Sequence, residues 1–163
     1  KIDENNTVLP KQNFHIEHSL SFDDIFLNRK PGTPAPTLFF NIEDLRNADG
    51  FNPAIRLEDL YIALKITHNG KDAGFMNEVL AYYRVHPLNT YKNYRFMVDN
   101  VLKTYDIFKD NKHYEVVKYR FINSMFLKSS KTDKKLAFEL LRILPVKFYS
   151  MKIIKGLFRL MKT

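Results

Sequence analysis

Two neighbouring carboxylates, Glu58 and Asp59, have the residue types and position to take part in proton transfer. They open a predicted helix over residues 57–67, whose apolar residues recur at spacings of three and four. The positive end of the helix dipole keeps a carboxylate in the first turn ionised and able to accept a proton, although it also weakens the base. Paired acids are also common at helix starts simply as partners of that dipole. The pair alone leaves both roles open.

A histidine, His86, is the second candidate, because it follows a short apolar run at residues 79–85 that predicts a strand. Imidazole can bind a divalent cation and suits manganese better than magnesium. The alternative is an ordinary surface histidine after a strand. The remaining histidines lack a comparable context and are expected to be ordinary polar residues: His15, His18, His68 and His113.

The elements that must position these side chains differ between the two halves of the chain. Before residue 91, short apolar runs at 37–40 and 79–85 alternate with most of the prolines and glycines, which is typical of a mixed α/β lobe. After it, helical periodicity predicts a bundle, with helices over residues 91–109, 113–128, 133–144 and 146–161. We therefore predict an α/β, mostly helical fold with domains 1–92 and 93–163.

Composition limits the classes of protein to consider. A hydrophobic content of 45% with 14% aromatic residues supplies material for a core, and the absence of cysteine excludes disulfides and cysteine-ligated metals and fits a reducing cytosol. No apolar run approaches the roughly 18 to 20 residues that span a bilayer. The first residues, KIDENNTVLPKQNF, have neither a methionine nor the features of a signal peptide. We expect a piece of a longer, cytoplasmic protein.

Charge is divided unequally along the chain. Residues 1–90 carry 9 basic and 12 acidic side chains, whereas residues 91–163 carry 17 and 6, so the net charges are −3 and +11. An imbalance of this kind suggests an anionic partner for the second half, either a membrane surface or a nucleic acid. No recognisable nucleic-acid-binding module is present, so we do not expect a nucleic acid partner.

The basic tail, residues 146–163, contains no acidic residue and places an apolar stripe beside a stripe of lysine and arginine when drawn as a helix. Such a helix can lie peripherally on an anionic bilayer, here the inner face of the cytoplasmic membrane. Alternatively, its apolar face packs on the preceding helices and its lysines are solvated. Both can hold if the helix caps the bundle.

Three segments occur in an order that resembles the C-terminal part of the catalytic domain of glycosyltransferase family 2. A Pro/Gly/Thr loop and apolar run cover residues 32–40, Asp-Gly-Phe at 49–51 leads into Leu-Glu-Asp-Leu at 57–60, and Tyr-Arg-Val-His-Pro-Leu-Asn-Thr occupies 83–90. Family members typically show a "PxP[ST]" loop, a "GGF(D/N)" turn, an acidic "ED" pair opening a helix and a strand ending "YRxHxxN[TS]". The resemblance covers about residues 14–93.

This resemblance implies a GT-A fold and an inverting transfer of sugar from a nucleotide-diphosphate donor to a cell-surface polysaccharide or lipid-linked acceptor. Asp59 would then be the base, Glu58 would position the acceptor, and His86 would help to hold a divalent cation, manganese or magnesium. A loop facing donor and acceptor would include Thr33 and Thr37. A competing hypothesis is a noncatalytic helical module that docks to a membrane or a partner protein.

The sequence also departs from the family pattern. The helix after the acidic pair reads Glu58-Asp59-Leu-Tyr61-Ile-Ala-Leu-Lys, without the tryptophans of the common "EDWDLWLR", so Tyr61 is the candidate for contact with the acceptor. Asp23-Asp24 is not flanked by the apolar strand that an Asp-x-Asp cation site requires. We therefore expect donor and metal binding to be missing or very weak, and this chain to be inactive by itself.

Overall fold

The structure is a computed structural model that describes residues 1–10, 19–28, 37–76 and 78–161. The chain divides into two compact units, residues 1–89 and 90–163. The described residues form seven α-helices: α1 (Phe22–Phe26), α2 (Ile42–Asn47), α3 (Glu58–His68), α4 (Tyr94–Asp106), α5 (Tyr114–Thr132), α6 (Lys134–Ile143) and α7 (Met151–Met161). Within the described ranges, no helix combines the length and the hydropathy needed to span a bilayer.

The predicted helical character is confirmed. Helices α3, α4, α5 and α6 lie where the periodicity predicts them. The last predicted helix is interrupted, because Val146–Phe148 forms a 3-10 turn and Tyr149 is extended before α7 begins. The Ser150 hydroxyl accepts a hydrogen bond from the Lys152 amide at 3.3 Å and so caps the start of α7.

The predicted α/β character is not found in the described residues. The runs at 37–40 and 79–85 are not strands there, and extended pairing is limited to isolated bridges between Ile2 and Val8, Ile2 and Arg84, and Leu20 and Ala73. A strand needs a neighbour that pairs with its amides and carbonyls along its length. Along 79–85 only Arg84 has a bridge partner, and the apolar side chains of this run include exposed ones at Val79, Leu80 and Tyr82.

The first unit is organised around α3. Phe26 and Leu64 are fully buried, and the Phe22 ring meets the His68 ring edge to face at 5.0 Å between centroids, which packs α1 against α3. On the α2 side, α3 contributes to a small apolar cluster of Ala48, Ile55, Tyr61 and Ile62. Helix α3 is thus held from two directions, and its first turn is fixed in place.

The second unit is organised around α5, which packs against α4, α6 and α7. Its core consists of Val98, Ile122, Met125, Phe126, Leu136, Ala137, Leu140, Leu144 and Ile153. The start of α6 is capped by Asp133, which accepts a hydrogen bond from the Leu136 amide, and this bond together with the nearby Arg95 lowers the pKa of the Asp133 carboxyl. The Arg95 guanidinium also binds Glu139 at 2.9 Å, so one side chain of α4 contacts two acids at α6.

Helix α7 approaches α5 closely at Gly156. A Cβ at this position would lie 2.2 Å from Cε1 of Phe126, a ring that is fully buried in the core. Atoms cannot approach this closely, so glycine is the residue that permits the contact.

We predict that Gly156→Ala lowers the free energy of unfolding by about 1 to 2 kcal/mol, because overpacking at so close a contact costs about 2 to 3 kcal/mol and a gain of about 1 kcal/mol in helix propensity offsets part of it. Urea denaturation measures the change. Gly74→Ala is the matched control, since nothing lies within 4 Å of a Cβ there. Equal stability of Gly156→Ala and the parent would contradict the packing described.

A buried phenol makes the second unit sensitive to alkaline pH. Tyr105 is 7% exposed and its ring meets Phe121 edge to face at 6.0 Å. Burial raises the pKa of Tyr105 to about 12, because the ionised phenolate loses its hydration. The folded state then retains this proton at a pH where the unfolded chain releases it, so the contribution to stability is present below pH 10 and is lost as the pH rises toward 12.

We predict that Tyr105→Phe makes the free energy of unfolding fall less steeply between about pH 10 and pH 12 than in the parent. The difference accumulated over this interval should be on the order of 2 kcal/mol. Urea denaturation at several pH values measures it. Parallel pH profiles for the two proteins would show that Tyr105 is not the buried titrating group.

Candidate functional site

The turn between α2 and α3 places the candidate site. Helix α2 ends with the Gly50 amide bonded to the Leu45 carbonyl at 3.0 Å, and both Asp49 and Gly50 have positive φ values, 61° and 66°. This left-handed ending reverses the chain, and glycine adopts it without strain. The Asp-Gly-Phe motif therefore follows Ala48, the C-cap residue of α2, and Phe51 is exposed next to Glu58 at the start of α3.

A shallow, mainly apolar depression lies between this turn and α3. It is lined by Phe51, Asn52, Pro53, Ile55 and Glu58. The Phe51 ring is 52% exposed and Glu58 is exposed, so an apolar surface and a carboxylate are both open to solvent at one place. An apolar surface with few polar groups is the general composition of a small-molecule site.

Asp59 has a different local environment. Its side chain is half-buried, and Oδ1 accepts a hydrogen bond from the Leu60 amide at 2.8 Å. Leu57, at the N-cap position of α3, offers no side-chain cap, so Asp59 satisfies an amide that the helix itself leaves without a partner. The acidic pair is thus split: Glu58 lines the depression, and Asp59 caps the helix through one oxygen.

Tyr61, the candidate for acceptor contact, is 5% exposed and belongs to the apolar cluster with Ala48, Ile55 and Ile62. It shares this cluster with Ile55, which lines the depression, and its buried ring is not open for stacking on a sugar in this arrangement. Thr37 is exposed. Thr33 lies outside the described residues.

His86 lies in a turn of its own. Its Nδ1 accepts a hydrogen bond from the Leu88 amide at 3.2 Å, its amide donates to Asn89 Oδ1 at 2.6 Å, and Asn89 Nδ2 donates to the Arg84 carbonyl at 3.3 Å. A neutral imidazole that accepts at Nδ1 carries its proton on Nε2. A cation at Nε2 would require the other tautomer and would break the bond to Leu88.

The described residues do not by themselves form the cation site that the family resemblance implies. Among them, no group of three or more His, Cys, Asp or Glu side chains comes together as a metal site. Asp24, in the Asp-Asp pair, instead bonds the Ser21 amide and hydroxyl at 3.0 and 2.7 Å in a capping box of α1.

Arg84 is an organising residue whose role the sequence pattern did not predict. Its Nη1 donates to the Asp3 carbonyl at 2.9 Å and to the Glu4 carbonyl at 3.3 Å, and its Nη2 donates to Asn6 Oδ1 at 2.7 Å. The Ile2 amide bonds the Tyr83 carbonyl nearby. Residues 1–9 are thus hydrogen-bonded to the "YRxHxxN" segment. Membership of that motif was the only feature of the sequence that could have indicated a role for Arg84.

Comparisons of the chain with protein-family models, with curated proteins and with solved structures found no match. The likeness to glycosyltransferase family 2 therefore depends on the order of the motifs in the sequence.

We predict that Arg84→Lys accelerates amide hydrogen exchange at Ile2 and Val85 by about five- to thirtyfold. A lysine ammonium cannot reproduce the fork of donors, and losing one or two net hydrogen bonds costs about 1 to 2 kcal/mol. Exchange followed by mass spectrometry or NMR measures this. Arg46→Lys, at an exposed position of α2, is the control. Unchanged exchange in Arg84→Lys would show that the guanidinium does not fasten this segment.

Proposed function

We propose that this chain is the acceptor-side part of an inverting glycosyltransferase related to family 2. The reaction transfers a sugar from a nucleotide-diphosphate donor to a cell-surface polysaccharide or a lipid-linked acceptor. The observation that carries the proposal is the open depression in which the Glu58 carboxylate and the exposed Phe51 ring meet at the first turn of α3. An acceptor sugar has both apolar ring faces and hydroxyl groups, and this surface offers a counterpart for each.

Glu58 is suited to positioning the acceptor. Its carboxylate is exposed on the rim of the depression and can accept hydrogen bonds from sugar hydroxyls. Residues 49–57 form short turns around it, in which Asn52 Oδ1 accepts the Ala54 amide at 2.9 Å. This bond closes the turn at residues 52–54 on the rim of the depression.

Asp59 is the proposed base. Oδ1 of Asp59 accepts a hydrogen bond from the Leu60 amide, and Oδ2 of Asp59 accepts none from the part of the chain that the structure describes. In an inverting transfer, the carboxylate takes the proton of the acceptor hydroxyl while that oxygen forms its bond to the anomeric carbon. The bond from that carbon to the donor diphosphate breaks in the same step, and the electron pair leaves with the diphosphate.

The first turn of α3 presents the two carboxylates in different directions. Glu58 and Asp59 both lie in the first turn, where the positive end of the helix dipole stabilises negative charge. The two side chains point about 100° apart, so one can contact the body of the acceptor while the other meets the reacting hydroxyl.

We predict that Asp59→Asn lowers the transfer rate by about 10²- to 10⁴-fold, the usual contribution of a general base. Asparagine retains an oxygen for the Leu60 amide, so the cap of α3 is preserved. The measurement is transfer of labelled sugar to a lipid-linked acceptor by the complete product of the reading frame that contains this sequence. Glu58→Gln should mainly raise the KM for the acceptor.

Glu43→Gln provides the matched control, because Glu43 is also an exposed acid in the first turn of a helix, α2. It removes a dipole partner without touching the depression. Near-normal transfer by Asp59→Asn together with a large loss in Glu58→Gln would move the base to Glu58. Near-normal transfer by both variants would refute the proposed function.

A further inference from the structure

Helix α7 exposes an apolar face even though it is packed against α5. Its buried side consists of Ile153 and Gly156, with Leu160 partly buried against the same core. The remaining apolar side chains are between 39% and 69% exposed: Met151, Ile154, Leu157, Phe158 and Met161. At 100° per residue these five fall within a sector of about 120°, which we name the outward face.

A basic sector lies next to the outward face. Lys152, Lys155 and Arg159 follow one another at spacings of three and four, and Lys155 and Arg159 are exposed. Partial burial and the charge of Lys152 lower the pKa of the Lys128 ammonium group on α5. No acidic residue occurs between positions 146 and 161.

Contacts with α5 hold the outward face in a fixed orientation. The contact of Gly156 with Phe126 sets how closely α7 approaches α5. Arg159 donates a hydrogen bond from Nη1 to the Leu127 carbonyl at 2.8 Å. Near the start of α7, the Ser150 hydroxyl donates to Oδ1 of the buried Asn123 at 2.8 Å. The helix is therefore already folded and oriented before any partner binds, so docking requires little ordering.

We propose that the outward face of α7 docks onto an anionic lipid bilayer, with the helix axis in the plane of the membrane. The exposed apolar side chains would enter the boundary between headgroups and acyl chains, and the adjacent cations would contact anionic headgroups. This inference is independent of the proposed sugar transfer.

The chemistry of the surface favours a bilayer over a macromolecular partner. Lysine side chains beside an apolar stripe can extend their ammonium groups to the headgroups while their methylenes stay on the apolar side. A nucleic acid would contact the cations and leave five apolar side chains in water. A partner protein that covered the basic sector together with the outward face would need acids opposite Lys152 and Lys155, and α7 of a second copy carries none.

The absence of tryptophan from the chain allows a direct test, because Phe158→Trp introduces a single indole fluorophore on the outward face. With vesicles of phosphatidylcholine containing phosphatidylglycerol, we expect a blue shift and quenching by brominated acyl chains. Phe39→Trp, at an 86% exposed position of the first unit, is the control and should show neither. An unshifted emission spectrum of the Phe158→Trp variant at saturating lipid would overturn the proposal.

Partitioning of the whole chain measures the contributions of the two sectors. Phe158→Ser should lower co-sedimentation with anionic vesicles about tenfold or more, and Lys155→Gln about fivefold, which corresponds to about 1 kcal/mol per basic residue. Lys112→Gln, at an exposed lysine between α4 and α5, is the charge control and should bind like the parent. Binding should be weak to pure phosphatidylcholine and should fall at high salt.

Other outcomes would refute the docking of α7 to lipid. Equal vesicle binding by the parent and by Phe158→Ser, with matching urea midpoints, would exclude the outward face as the surface that contacts lipid. The parent protein could instead form a dimer and fail to bind vesicles. If Phe158→Ser then dissociated that dimer, the outward face would be assigned to contact with a second copy of the chain. Because no sugar substrate is present in these measurements, they are unaffected by failure of the proposed transfer reaction.

Discussion

The contact between Gly156 and the Phe126 ring is the constraint on which the arrangement of the second unit depends. Phe126 is fully buried among side chains of α4, α5 and α6, and α7 can lie over it only where the helix has no side chain. Since a helix has one buried side, fixing residue 156 inward also fixes which residues point outward. The exposed apolar sector of α7 thus follows from this close approach together with the burial of Ile153 on the same side.

Polar groups support this contact at the start of α7. The side chain of Asn123 is buried, and its amide donates to the Tyr119 and Phe148 carbonyls at 2.8 and 2.9 Å while its oxygen accepts from Ser150. A buried amide with all of these partners fixes the position of the segment at residues 148–150 relative to α5. An apolar residue at position 123 would not fix it, because apolar contacts are not directional. The bend before α7 is therefore set by hydrogen bonds and its depth by packing.

The first unit uses local hydrogen bonds where the second uses a large core. Short turns are closed by the side chains of Asp3 and Asn89, and Arg84 joins separate stretches of the chain. Helix α3 is the one element among the described residues of this unit that is packed from both sides, by α1 and by α2. The position of its first turn, which carries the Glu58 and Asp59 carboxylates, is therefore set by packing. Because neighbouring helical residues point in different directions, the two carboxylates have different surroundings.

Sequence patterns predicted α3, α4, α5 and α6, because apolar residues at spacings of three and four leave few alternatives over ten or more positions. The short helices α1 and α2 were not predicted. They did not predict the outcome for the runs at 37–40 and 79–85, since a strand depends on a partner that the run itself does not encode. In the candidate site, the position of Glu58 and Asp59 on a helix start was predictable. Which of the two would line a depression was not.

The sequence by itself determined that a helical, basic second half follows a turn-rich first half, and that an acidic pair opens a helix. These are local properties of composition and periodicity. Only the tertiary structure decided that Tyr61 is buried, that Arg84 donates to the Asp3 and Glu4 carbonyls, and that α7 turns Ile153 inward and Phe158 outward. Those outcomes depend on which neighbours a side chain meets, because burial and hydrogen bonding are settled between elements distant in the chain.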